Sequence, residues 1–295
     1  MASERIPISS SFSDRFGGRG GPRREIAAYW LSLVLVTFGA LIMIVPFAFM
    51  VITSFKTQAE IIAIPAVWLP SQLTLENFVQ VWNRTELLRS LINTAYVAVV
   101  ITAATVFSSS LMGFVFSKYE FRGRDLIFTV SLAGMMLPFY VISIPLYLMI
   151  ITLGWVNSYA ALIIPSLYNS FGVFLMRQFM FSIPAELLDS ARLDGCSEFR
   201  IFWSIALPLA KAAAGALSLL NLMVYWNWFF WPLIVLNSEE KFTISLTLTK
   251  FMGLYWTEYG PLTAGSFLAV IPIVVTFLFL QRYFVEGIAT TGMKG

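Results

Sequence analysis

Apolar residues in this chain gather into six long runs separated by polar stretches: 27–53, 91–116, 126–153, 159–176, 212–236 and 262–280. Each reaches or nearly reaches the roughly 20 residues that a helix needs to cross the hydrocarbon core of a bilayer. None of them contains Asp, Glu, Lys or Arg, so every charge lies between or beyond the runs. The pattern predicts an all-α membrane protein with six transmembrane helices. Pro138, Pro145, Pro165, Pro232 and Pro272 sit inside or near the ends of the runs. At such points neighbouring helices or a cavity must satisfy the freed backbone groups.

Composition agrees with this reading. The chain is 58% hydrophobic and 12% charged, far from the balance of a soluble domain. The placement of its basic residues adds a direction. With the N-terminus in the cytosol, the N-terminal tail, 117–125, 177–211 and the C-terminus carry 5, 3, 4 and 2 of the 19 Lys and Arg. The opposite side then holds 3 in 54–90 and 2 in 237–261. The positive-inside bias predicts N-in and C-in. A net charge of +3 is too small to suggest a nucleic-acid partner.

The expected organisation is a disordered cytosolic tail over 1–26, a transmembrane domain over 27–284 and a cytosolic tail over 285–295. The N-terminal tail lacks the apolar core of a signal peptide, so the first run is expected to direct insertion. The second half of 54–90 suits a short helix lying along the membrane surface, and 237–261 is polar and partly strand-like. No internal repeat or inverted symmetry is evident. The chain has no histidine, which removes imidazole catalysis, His–Cys zinc sites and histidine proton relays. Cys196 is its single cysteine, so no disulfide framework exists. No Walker A pattern occurs, and the expectation is a chain without catalytic or metal-binding residues that does not itself hydrolyse ATP.

One segment breaks the apolar character, the loop 182–211 containing "LLDSARLDGCSEFRIFWSIALP". Glu186, Ser190 and Asp194 recur every four residues as a polar stripe, opposite Leu187, Leu188 and Ala191. Asp189 can pair with Arg192 three residues on. Pro184 suits a helix start, and Gly195 suits the left-handed residue that ends it. Ser197 then caps a second helix with apolar positions Phe199, Phe202, Ile205 and Leu209, and Pro208 marks the approach to the fifth run. The prediction is helix, glycine turn, helix. Two readings of such an element stand on the residues alone: an amphipathic loop resting on headgroups, or a knob that fits a groove on a soluble partner. Its acidic residues do not suit an anionic leaflet.

The loop resembles the cytosolic EAA signature of ABC importer permeases. The match is Asp189-Ser190-Ala191, then Asp194-Gly195, then Leu207-Pro208 thirteen residues after the glycine. Departures are Asp189 for Glu, Ser190 for Ala and Cys196 for Ala, each similar in size or charge. Over roughly residues 50–295, "TSFK", "LTLENF", "INTAYVAV", "FSKYEFRGRD" and "QRYFVEGIATTGMKG" resemble the carbohydrate-uptake, MalG-type branch. The resemblance implies the type I ABC importer architecture in the cytoplasmic (inner) membrane of a prokaryote. It implies that Glu186, Asp189, Ser190, Ala191, Asp194, Gly195 and Pro208 form a coupling element docked in a cleft of an ATPase subunit. It also implies that Gly292, Lys294 and Gly295 reach between two ATPase subunits. The partners implied are a second, MalF-type permease, two subunits that bind ATP and Mg, and an extracytoplasmic solute-binding protein that delivers a carbohydrate.

For the path of that cargo, "NLMVYWNWFFWPLI" offers the amides of Asn221 and Asn227 beside the rings of Tyr225, Trp226 and Trp228. Sugars present hydroxyl edges and apolar C–H faces, which suit such a set. An interfacial aromatic belt with ordinary helix packing fits the same residues, Trp231 especially. The branch usually carries an acidic residue where Trp228 stands, and its companion permease supplies most sugar contacts. Asn93, Tyr140, Tyr147 and Asn169 are weaker candidates that suit packing or capping. Alternatives are an importer of another polar solute such as glycerol phosphate or a polyol, an ion-coupled secondary carrier, and a membrane scaffold. Charge-free spans count against the carrier, and the glycine-broken loop counts against the scaffold.

Overall fold

In a computed structural model, residues 22–292 are described. The helices of nine or more residues are α1 (Pro22–Ser54), α2 (Glu76–Arg84), α3 (Leu87–Lys118), α4 (Arg124–Ala133), α5 (Phe139–Thr152), α6 (Ser170–Phe181), α7 (Ala185–Leu193), α8 (Lys211–Trp226) and α9 (Tyr259–Gly292). Among the described residues the only β pairing is an isolated bridge between Met252 and Thr257.

Four segments, 28–54, 87–118, 160–181 and 259–281, are long and apolar enough to cross a membrane, and two bent pairs raise the number to as many as six. The third predicted span is therefore broken, not continuous. Gly134–Met136 tightens to a 3-10 turn, Leu137 is extended, and α5 restarts beyond Pro138 at 102° to the first half. Proline supplies no N–H and drives the preceding residue out of the helical region, which accounts for the break. The fifth predicted span also ends early. Beyond Trp226 the chain opens over 227–229 and resumes as a separate helix, Phe230–Val235. What continues α8 in the other direction is an arm, Glu198–Leu209, bent by 78° from it.

The chain divides into two units, 1–50 and 51–295. In the first, α1 leaves Trp30, Phe38, Met43 and Phe47 exposed on all sides, as befits a helix whose surroundings are lipid or another chain. In the second, α3 packs against α6 and α8, α8 against α9, and α9 against α2. The α3–α6 crossing is close because glycines stand at it. A Cβ on Gly113 would lie 2.7 Å from the backbone nitrogen of Arg177, and one on Gly172 would lie 2.4 Å from Ser109 Oγ. Small residues let helix backbones approach where lipid gives no hydrophobic drive for association.

Loops assigned to one side by the charge count do meet at one end of this unit. Arg84 makes a two-pronged ion pair with Glu258 at 2.5 and 2.8 Å, and Asn93 Nδ2 donates to the carbonyls of Glu240 and Phe242. At the other end Lys118 Nζ donates to the Ile183 carbonyl at 2.5 Å, joining 117–125 to the 182–211 loop.

Three further expectations are refined by the structure. The stretch 237–261 is mainly helical, with Ile244–Thr247 an α-helix and Leu248–Phe251 a 3-10 turn, and its strand character is confined to the Met252–Thr257 bridge. Thr94 Oγ1 accepts from the Ile244 amide at 2.8 Å, and Ile244, Leu246 and Phe251 are buried. A side chain of α3 thus takes the amide that a neighbouring strand would have satisfied. Second, α2 forms as expected, buries Asn77 and Val81 and packs on α9. Third, Pro22 already opens α1, so 22–26 are helical, and α9 continues through 285–292. The remainder of the expected N-terminal tail, 1–21, and Lys294 and Gly295 lie outside the described residues.

Candidate functional site

The charged loop builds the first site. α6 ends at Ser182, and the extended backbone of Pro184 starts α7, with Glu186 exposed in its first turn, where the helix dipole favours an acid. The helix ends in a paired closure: Gly195 N–H donates to the Arg192 carbonyl and Cys196 N–H to the Ala191 carbonyl, both at 3.0 Å. This closure places Gly195 at φ +81°, a left-handed conformation that glycine adopts without strain. Ser197 Oγ then accepts from the Arg200 amide and caps the arm. The predicted helix–glycine–helix is present.

Leu188 and Ala191 are buried with Phe114 of α3, Met180 of α6, and Ile183 and Phe202. One face of α7 is therefore bolted to the membrane-crossing helices. The other presents Glu186, Asp189, Ser190 and Asp194 outward, with Leu187 half-exposed and Leu193 89% exposed. An acidic outward face with a protruding leucine suits a protein groove better than an anionic headgroup layer. The arm differs from expectation. Ile201, Phe202, Ala206 and Ala210 are buried, whereas Phe199 and Leu209 are exposed. The cause is a π-helical turn over Phe202–Ala206, which rotates the buried face away from simple helical spacing. Pro208 follows in the short helix Leu207–Leu209 at the elbow.

An ionic knot ties these parts together. Arg192 donates to Asp189 at 2.6 Å and to Glu198 at 2.8 and 3.2 Å, and Tyr119 OH donates to the same Glu198 carboxylate. α7, the arm and the end of α3 are thus joined through one arginine. The sequence exposed the Asp189–Arg192 pair but not the link from Glu198 to Tyr119, which lies 79 residues away in the chain. Hydrogen bonds from Arg192 and then Tyr119 hold the Glu198 carboxyl below its ordinary pKa. With both charged groups about a third to a half exposed, solvent screening leaves less than about 1 kcal/mol of stability here. A depressed carboxylate stabilises the fold above its ordinary pKa, and that contribution disappears as pH falls through the lowered value. Glu198→Gln is accordingly expected to flatten the acid limb of a melting-temperature–pH profile while changing neutral-pH stability little. An unchanged acid limb would contradict the knot.

A second site lies where three helix breaks meet. Residues after the Pro138 break, residues around Pro165 and residues of the 227–229 opening line one cavity of about 570 Å³. Tyr140, Ser166, Tyr168, Tyr225, Asn227 and Trp228 are among its walls. Tyr225 and Trp228 meet edge to face at 5.2 Å, and Tyr140 meets Phe230 at 4.6 Å. Irregular backbone at membrane depth persists where it lines a cavity or is buried in protein, and here three irregular stretches line one cavity.

The structure divides the predicted path residues. Tyr225, Asn227 and Trp228 line the cavity, while Asn221 is buried elsewhere with its Nδ2 unpaired among the described residues. Asn227 Nδ2 also donates to the Met223 carbonyl at 2.8 Å and closes α8. Trp231 is wholly buried and donates to the Ala161 carbonyl at 2.9 Å, so it is a core residue and not part of an interfacial belt. Asn93 ties down the 237–261 loop, and Asn169 caps α6 by accepting from the Gly172 amide at 2.8 Å. Tyr147 packs against an apolar cluster around Ile150 and Trp231. Sequence reasoning missed Ser166 and Tyr168. Pro165 was the available signal, since it marks the break that presents them.

The described residues thus form broken, membrane-length apolar helices with a folded, charged loop at one end. Residues 105–290 match the family described as "binding-protein-dependent transport system inner membrane component", and the chain belongs to it. It is similar to the arabinooligosaccharides transport system permease protein AraQ of Halalkalibacterium halodurans, 36% identical over 90% of this chain and 96% of that one. It is similar also to the lactose transport system permease protein LacG of Rhizobium radiobacter, 32% identical over 86% and 92%. Its fold matches a chain from the crystal structure of a bacterial ABC transporter involved in the import of the acidic polysaccharide alginate. That match has a TM-score of 0.77 and 24% identity over 89% and 98% of the two chains.

Proposed function

We propose that this chain is one permease half of an ATP-driven importer that moves an oligosaccharide or glycoside across the cytoplasmic membrane by alternating access. The observation that carries the proposal is the loop 182–211, rigidly joined to α3 and α6 on one face and acidic and free on the other. In this reading the N- and C-termini are cytosolic. α7 seats in a cleft of a partner ATPase, with Glu186, Asp189, Ser190, Ala191, Asp194 and Gly195 forming or shaping the seat and Pro208 setting the elbow behind it. Gly292, Lys294 and Gly295 extend between the ATPase subunits. ATP and Mg belong to those subunits, and the present chain performs no chemistry. Closure of the ATPase pair moves α7, and the knot and the buried Leu188–Phe202 contacts pass that motion to α3 and α6. A ligand couples to two states only through different affinity for them, so the seat must hold in both. A second, different permease completes the pathway, and a binding protein delivers the cargo from outside.

Carbohydrate as cargo is supported by the relatives' substrates and by the cavity, whose aromatic faces and hydroxyls suit uncharged sugars or polyols. No Lys or Arg lines it to meet a phosphate, which counts against glycerol phosphate at this site. Asn227→Ala is expected to change the apparent affinity for transported sugar by about tenfold, the scale of one lost polar contact near 1.4 kcal/mol, with assembly intact. Unaltered kinetics would assign Asn227 to capping alone. The energy source is tested in vesicles with collapsed ion gradients: uptake that still requires ATP supports the importer, and uptake that follows an imposed gradient contradicts it.

A further inference from the structure

We infer that the elbow between the arm and α8 is a binding site for one anionic phospholipid. A groove of about 520 Å³ runs there, walled by Trp203, Leu207, Lys211, Gly215, Ser218 and Leu280. Its charged and apolar parts are set apart along α8. Lys211 opens α8 at the point where the chain turns by 78°. Gly215 and Ser218 follow one and two turns deeper, so the charged end and the far end are roughly 10 Å apart along the axis. A lysine at the mouth of a mostly apolar groove matches an anionic headgroup above an acyl chain. No acidic residue lines the groove, and neither Lys211 nor Arg200 pairs with a carboxylate among the described residues. The carboxylate of Glu198, on the same arm, is occupied by Arg192 and Tyr119.

The arm beside the groove carries the marks of an interfacial helix. Trp203 is 53% exposed and stacked on the exposed Phe199 ring at 6.4 Å, the planes 16° apart, and Arg200 is exposed between them in sequence. Exposed aromatic and basic residues at the end of a span seat it at headgroup level, and basic pockets between spans at a cytosolic face hold anionic headgroups. A lipid wedged there fills the inside of the elbow whose other side carries α7. This site depends on membrane residence and not on which cargo is carried.

The test is native mass spectrometry of the full chain in mild detergent, titrated with phosphatidylglycerol or with phosphatidylcholine of the same acyl chains. The expected result is retention of one phosphatidylglycerol with a preference of about fivefold, the effect of one lysine near a headgroup. Lys211→Gln, at an exposed position, should level the two lipids. Gly215→Leu should weaken retention of both. Equal retention of the two lipids by the unaltered chain, or an undiminished preference in Lys211→Gln, would overturn the inference. So would a photo-crosslinker at position 218 that captures a polypeptide in native membranes instead of a lipid, since a partner helix would then own the groove.

Discussion

Replacing Gly195 with valine is expected to leave the chain inserted in the membrane at its usual level while uptake falls at least tenfold. Gly195 stands at φ +81° with nothing within 4 Å of an added Cβ, so space is not the constraint. Conformation is. A β-branched residue in the left-handed region costs about 1–3 kcal/mol, comparable with what the two closing hydrogen bonds from Gly195 and Cys196 return. The turn therefore opens, and α7 loses its fixed angle to the arm. The buried contacts of Leu188 and Ala191 keep the loop near the bundle, so the defect is one of presentation and not of folding. The readout is ATPase retained by the purified variant, together with sugar uptake. Full retention with normal uptake would remove the docking role assigned to this turn. Gly195→Asn, which tolerates the left-handed region, should recover much of the loss.

Gly113→Leu should act earlier and more severely, by preventing stable folding of the bundle. A Cβ at this position meets the backbone nitrogen of Arg177 at 2.7 Å, and backbone cannot rotate aside as a side-chain tip does. α3 and α6 must separate. The core they share with Phe114, Met176, Met180 and Leu188 then loses its packing. Overpacking of this kind costs about 1–3 kcal/mol or more, and the membrane supplies no hydrophobic drive to restore the crossing. The expected outcome is a large fall in monodisperse protein recovered in detergent and a clearly lower melting temperature. Gly113→Ala should show the same defect in weaker form. A leucine variant that melts with the unaltered protein would show that the crossing is looser than described.

Much of this was legible in the sequence because membrane residence imposes simple rules. Charge-free runs marked the spans, and the asymmetry of Lys and Arg grouped the loops that the fold brings together. The 182–211 loop announced its turn through Pro184, Gly195 and Ser197, each tied to a local backbone requirement. What escaped were features that depend on distant partners. The π-turn at Phe202–Ala206 moved the buried face of the arm by its winding, which spacing alone does not reveal. Tyr119 and Glu198 are 79 residues apart, and nothing local links them. Continuous apolarity over 126–153 hid a right-angle break, although Pro138 marked it. Trp231 looked like a belt residue because its composition suits one, yet its indole nitrogen is committed to a buried carbonyl. The cavity became visible only once three breaks, each with its own proline or asparagine, were seen to converge.

The central claim is that the acidic face of α7 seats on an ATPase. Its most direct measurement is purification of the tagged full-length chain from native membranes in mild detergent, with mass spectrometry of everything retained. The account predicts a second permease and an ATP-binding subunit in stoichiometric amounts, with a solute-binding protein at lower occupancy. Recovery of a lone chain or a homodimer, under conditions that preserve other complexes of the same membrane, would contradict it.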